Sequence, residues 1–137
     1  MPKIYRLENE NSGAGVYQTR KYIPAYDAED WKPYEDGRHP LPSNDDKLYP
    51  KLLKLGIGTS SSSLSRFHYG YSSKKQYQRW WSKKARQILS QDDDRRDRLV
   101  LAVYKVPRKH MLAGDTQALF IKSKATRVAV LAPNAFD

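Results

Sequence analysis

The chain opens on an alternation. Lys3-Ile4-Tyr5-Arg6-Leu7 sets polar and apolar residues in turn, the two-residue period of a short strand, and predicts Ile4 inward. Asn11-Ser12-Gly13-Ala14-Gly15 then breaks the pattern, and its glycines permit positive φ or close backbone approach. From 21 to 63 no period holds. Pro24, Pro33, Pro40, Pro42 and Pro50 interrupt it, and Gly56, Gly58 and a serine run end it. The stretch predicts a long irregular region, with Lys51-Leu52-Leu53-Lys54-Leu55 able to form one or two helical turns. Tyr22, Tyr26, Trp31, Tyr34 and Tyr49 stud it, which predicts a region packed on the rest of the protein.

The period then changes. Ser72 or Ser73 is suited to an N-cap. Tyr77, Trp80, Trp81, Ala85, Ile88 and Leu89 follow on one face of a 3.6-residue repeat, predicting a helix that runs to about residue 89. Lys75, Arg79, Lys83 and Arg86 line another face. The helix must stop before Asp92-Asp93-Asp94, because acidic groups are unfavourable at the negative end of a helix dipole. Residues 91–97 therefore read as a charged loop. Leu99-Val100-Leu101-Ala102-Val103-Tyr104-Lys105-Val106 is a buried-type strand that Pro107 ends. Further strands are predicted at about 117–121 and 127–131. One helix ahead of a strand-rich C-terminal half predicts an α+β fold, in one domain over 1–137.

Composition narrows the chemistry. The 137 residues include no cysteine, so disulfides, thiolate zinc sites and cysteine nucleophiles are excluded. His39, His68 and His110 lack metal-ligand spacing. No apolar run approaches the roughly 20 residues that span a bilayer, and Met1-Pro2-Lys3-Ile4-Tyr5-Arg6 has no signal-peptide pattern. The expectation is a cytoplasmic protein with no membrane partner. A net charge of +10 favours an anionic partner: a nucleotide, a nucleic acid or an acidic protein. Lys75, Arg79, Lys83 and Arg86 are the candidate nucleic-acid contacts, against the alternative of a solvated helix face.

Three segments carry a more specific signal. Tyr5-Arg6 ends a strand ahead of a glycine-containing loop that reaches Tyr17. Phe67-His68-Tyr69-Gly70-Tyr71-Ser72-Ser73 leads into the amphipathic helix. Gly114-Asp115-Thr116-Gln117-Ala118-Leu119-Phe120-Ile121 is followed by a turn and a last strand. In this order they resemble the ADP-ribosyltransferase superfamily of toxins and poly-ADP-ribose polymerases. The chain is also similar to small proteins of bacteriophages and prophages that begin with a Tyr-Arg-Leu-Glu strand.

The resemblance implies a curved or split, mostly antiparallel sheet with a packed amphipathic helix, and NAD as ligand or co-substrate. It implies Arg6 on phosphate or ribose, Ser72 ordering the site, and Tyr17, His68 and Tyr71 as further cofactor contacts. Tyr17 and Tyr71 equally suit core packing. Gln117 falls at the position of the family's catalytic glutamate, and Asp115 at the preceding Glu/Gln position. A neutral amide keeps a hydrogen bond but lacks the anion that stabilises an oxocarbenium-like transition state, a loss of about 3–4 kcal/mol of barrier lowering. Glu8, Asp115 and Glu35 are the carboxylates that remain as substitutes. The resemblance implies transfer of ADP-ribose to a host protein or nucleic acid. The alternative is a non-catalytic basic protein that binds nucleic acid or an acidic partner, of the kind a phage uses to inhibit host machinery.

Overall fold

The computed structural model describes residues 1–19, 22–27, 39–60, 62–91 and 98–137. Trp31, Tyr34, Glu35 and the charged stretch 92–97 lie outside them, as does the side chain of Tyr22. The architecture is α+β. β1 (Lys3–Asn9), β3 (Leu99–Lys105) and β6 (Thr126–Leu131) form one antiparallel sheet in the order β1-β3-β6. β2 (His68–Gly70), β5 (Ala118–Phe120) and β4 (Met111–Ala113) form a second, in the order β2-β5-β4. The sheets touch where Tyr5 and Tyr71 exchange backbone hydrogen bonds of 2.8 and 2.7 Å.

β1 shows why the split exists. The alternation sends Ile4 inward as expected, but Arg6, Leu7, Glu8 and Asn9 are also buried. The strand is covered on both faces. Leu7 pairs with Leu101 and Asn9 with Leu99, on the face packed by helices. Ile4, opposite Tyr104, faces the apolar group of Ala102, Val106, Ala118 and Phe120. Arg6 and Glu8 share that second face by the two-residue period. Beyond the Tyr5–Tyr71 bridge the backbone ladder ends, and Arg6 Nη1 donates instead to the Tyr69 carbonyl at 2.9 Å.

Gly70 permits the close approach at the bridge. A side-chain carbon there would overlap Ile4 Cγ2 and stand 2.8 Å from the Tyr5 carbonyl oxygen. Gly70→Ala is expected to cost about 1–3 kcal/mol through overpacking, read by urea denaturation. Unchanged stability would mean that β1 and β2 can separate freely.

Other elements sharpen or correct the sequence reading. The irregular region contains α1 (Tyr22–Asp27) and α2 (Leu48–Lys54), with Leu48 and Leu52 buried. Of its aromatic residues, Tyr26 packs as expected on the core that holds Trp80 and Trp81, whereas Tyr49 is exposed. The amphipathic segment starts where expected, with Gln76 N donating to Ser73 Oγ at 3.1 Å.

The segment is not one helix, however. α3 (Lys74–Trp80) and α4 (Lys83–Leu89) are separated by an extended Trp81, and Ser82 caps the second by accepting from Ala85 N at 3.3 Å. In a continuous helix, adjacent tryptophans would point about 100° apart. The break buries both, Trp80 at 5% exposure and Trp81 at 0%. β4 carries no period of its own in the sequence. It exists because β5 offers it a partner edge.

Candidate functional site

The divergence of the two sheets opens a cleft of about 980 Å³. That is at the upper end of the range for small-molecule sites. Arg6 and Leu7 of β1 form one side, and His68, Tyr69 and Gly70 of β2 the other. The loop after β1 contributes Gly13 and Gly15, Tyr17 follows, and Gln117 and Lys122 flank β5. His39, Pro40 and Trp80 close the aromatic end.

The charges at the base are fixed by one buried carboxylate. Glu8 is fully buried. Its Oε2 accepts from Lys122 Nζ at 2.9 Å and lies 3.4 Å from Arg6 Nε. Its Oε1 accepts from the Tyr104 hydroxyl, with Arg127 at 3.9 Å. Burial and then Glu8 push the Tyr104 hydroxyl well above its usual range, so Tyr104 stays a donor. Arg6 Nη2 reaches the Gly13 carbonyl at 3.4 Å. Gly13 has φ of +74°, which turns that carbonyl towards the guanidinium at no side-chain cost. Burial lowers the Arg6 pKa while Glu8 opposes the shift, and the group stays cationic.

His68 is held neutral. Burial, and then the charges of Arg6 and Lys122, lower its pKa. Its Nδ1 is buried with no hydrogen-bond partner. Among the described residues Arg6 Nε also lacks a well-aligned hydrogen bond, but it is ion-paired with Glu8 at 3.4 Å, so His68 Nδ1 is the atom left open. Unsatisfied buried nitrogens are costly and rare, and a ligand is one of the few things that resolves them.

The aromatic end is built by His39. Its ring stacks on Trp80 at 4.7 Å and meets Trp81 edge-on at 4.3 Å. One ring nitrogen pairs with the Tyr17 hydroxyl and Nε2 with the Trp80 carbonyl at 2.8 Å. Trp80 Nε1 donates to the same Tyr17 hydroxyl at 2.8 Å. Burial pulls the His39 pKa down to about 4, so the ring is neutral at pH 7. Tyr71 is buried, receives a hydrogen bond from Trp81 Nε1 at 3.2 Å, and still lines the cleft. It serves both the core and the cavity.

Arg6, Tyr17, His68, Tyr71 and Gln117 therefore meet in one cleft. Ser72 and Asp115 do not. They line a second, polar cavity behind the wall formed by Tyr71-Ser72 and the turn that leads to Gln117. The two-residue period turns Ser72 away from its neighbour Tyr71, whereas Asp115 lies in the turn ahead of β5, where strand alternation does not hold and its side chain is 55% exposed. Gln117 is buried, and its Nε2 donates to the Pro40 carbonyl at 2.9 Å. No carboxylate lines the cleft among the described residues. Glu8, a candidate substitute, lies behind its floor, neutralised by cations.

Lys75 and Arg79 line the second cavity and Lys83 is exposed, but Arg86 is not on a surface. It is buried. It donates to the carbonyls of Gln78, at 3.1 Å, and Trp81, and it grips Asp137 at 2.6 Å. Arg86 satisfies the open carbonyl end of α3 across the helix break. It cannot serve as a phosphate contact.

Reasoning from sequence missed His39 and Lys122. His39 stands in a segment without a period, so only the fold brings it to Trp80. Arg6 and Glu8, opposite charges two apart on an inward strand face, were the available sign of a buried ion pair.

Among the described residues, no group of side chains could hold a metal ion, and no helix is long and apolar enough to cross a membrane.

These features define a small α+β protein with a cationic cleft, free of carboxylates among the described residues, at the split between two antiparallel sheets. The model of the bacteriophage T4 Y00F protein family matches residues 1–134, and the chain belongs to that family. It is thus a phage-type protein, in line with the resemblance to bacteriophage proteins. No curated protein and no solved structure matches the chain significantly.

Proposed function

We propose that the cleft binds a nicotinamide dinucleotide, on an ADP-ribosyltransferase-like framework in which binding has outlasted efficient transfer. The observation that carries this reading is the convergence of Arg6, Tyr17, His68, Tyr71 and Gln117 on one cavity from three distant segments. The split sheet with an amphipathic helical layer on one face suits the same framework. Arg6 and Lys122 supply positive charge for a pyrophosphate. Tyr17, Tyr71, Trp80 and His39 supply aromatic surface for a base. His68 supplies a neutral nitrogen without a partner.

Among the described residues the cleft offers no carboxylate, and that limits the chemistry they can perform. Gln117 can hold a ribose hydroxyl but cannot offset a developing cation. The acceptor of any residual transfer would be a host protein or nucleic acid in the cytoplasm of the infected cell.

Calorimetry should detect NAD binding in the millimolar range or tighter, and Arg6→Gln should weaken it at least tenfold. Saturating NAD at 100 times Kd should add about 2.7 kcal/mol of stability. No heat at millimolar NAD would overturn the proposal. Gln117→Glu should raise nicotinamide release above the wild-type level. It should also destabilise the protein by about 1–3 kcal/mol, because the new carboxylate faces the Pro40 carbonyl without a donor. A glutamate variant that is folded, binds NAD and releases no more nicotinamide than wild type would refute the placement of residue 117.

A further inference from the structure

Behind the wall of the cleft lies a polar cavity of about 440 Å³. Lys47 and Lys51 reach it from α2 and the residue ahead of it, and Lys75 and Arg79 from α3. Asp115 is the one carboxylate among its described lining residues, and it is 4.0 Å from Lys47. Ser72, Ser73 and Gln76 add neutral hydrogen-bonding groups. No aromatic side chain lines it among the described residues.

The frame around these cations is rigid. Asp45 is buried and ties the start of α2 to the turn before β5. It accepts from Leu48 N at 2.8 Å, Asp115 N at 3.0 Å, and Thr116 N and Oγ1 at 2.8 and 2.6 Å. Burial raises its pKa, but the hydrogen bonds from Thr116, Asp115 and Leu48 outweigh that and leave it below the usual range, so it stays ionised. Gln76 links the third wall, accepting from Ser72 N at 2.9 Å and donating to the Gly114 carbonyl at 2.7 Å. The cations stand on elements that these hydrogen bonds tie to one another.

We infer that this cavity docks the phosphodiester backbone of a nucleic-acid strand. Lys47, Lys51, Lys75 and Arg79 line a space that takes a phosphate and its sugar, with Asp115 the one acid among the described lining residues and Lys51 Nζ held at the wall by the Ala113 carbonyl at 2.6 Å. Lys75 and Arg79 are four residues apart on α3, and Lys51 and Lys54 three apart on α2, so each pair shares a helix face. Lys54 is exposed and extends the row beyond the cavity, as a polymer requires and a free phosphate does not. Among the described residues the cavity offers no aromatic surface for bases to stack on, so binding is set by backbone charge and not by sequence. The inference uses residues outside the dinucleotide cleft and does not depend on that reading.

The probe is a fluorescent single strand of about 20 nucleotides, followed by anisotropy over a salt series. Four phosphate contacts predict a slope of log Kd against log salt of about 3. Lys47→Ala with Lys75→Ala, both exposed positions, should weaken binding at least tenfold and lower the slope by about 1.4. Lys105→Ala with Lys124→Ala removes the same charge from exposed sites elsewhere and should stay within twofold of wild type. Asp115→Ala should tighten binding. Strands of different base composition should bind alike. Equal losses in the two double variants would overturn the proposal, since only net charge would then matter. No binding at low salt would do the same. So would a poly-glutamate peptide that binds as tightly and is lost in the same variants, which would make the surface an acidic-protein site.

Discussion

Glu8→Gln is expected to destabilise the protein by about 3–5 kcal/mol, the usual cost of removing one partner from a buried ion pair. Glu8 is the anion that pairs with both Arg6 and Lys122 beside an apolar core. Glutamine keeps the shape and one acceptor for Tyr104, but leaves the two cations facing each other across the floor of the cleft. Urea denaturation measures the loss. Lys122→Met in the same background should restore part of it, because the two sites touch and their effects are coupled. A Glu8→Gln protein within about 1 kcal/mol of wild type would show that the carboxylate is not the organising charge. The functional consequence is separate and readable. Arg6 would lose its anchor, so NAD affinity should fall in any Glu8→Gln protein that remains folded.

Acid is expected to remove roughly 3 kcal/mol of stability through His39. Its pKa falls from 6.5 in the unfolded chain to about 4 in the native state, so folding favours the neutral ring. Above pH 6.5 both states are neutral and the native state has its full stability. Below that, the unfolded chain takes up a proton that the native ring resists. Stability therefore declines by about 1.4 kcal/mol per pH unit until the native pKa is passed. Burial is the cause, with the Trp80 carbonyl opposing the shift. Denaturation of wild type and His39→Gln at several pH values between 7 and 4.5 isolates the effect. The wild type should carry a pH-dependent component that the variant lacks. Identical pH profiles would mean that the ring is open to water. Because His39 also holds Tyr17 and Trp80, ligand binding should weaken only as the pH approaches 4, where the native ring itself takes up a proton.

Local pattern was enough where one residue type decided the outcome. The β-branched run at 99–106 made a strand, Ser73 capped a helix, and the glycine at 13 turned the chain. The order of the Tyr5-Arg6, His68-to-Ser72 and Gln117 segments was also legible, and five of the residues chosen from it share the cleft. What the pattern could not express was direction in space. The helix break at Trp81 follows from the need to bury two adjacent tryptophans, and periodicity counted them as one face. Arg86 had the spacing of a surface cation, yet the open carbonyls of α3 and the carboxylate of Asp137 drew it inward. Ser72 and Asp115 sit one or two residues from cleft residues and still face another cavity, because a strand end and a tight turn reverse a side chain within one step.

By itself, then, the sequence determined the fold class, the strands β1, β3, β5 and β6, the cap and the chemical character of the surface. These depend on spacing and composition, which neighbouring residues set. Only the tertiary structure decided the split between the sheets, the partnership of Glu8 with Lys122 across 114 positions, and the joining of Lys47 and Lys51 to Lys75 and Arg79. Those are choices about which distant charges share a low-dielectric space, and no local period records them.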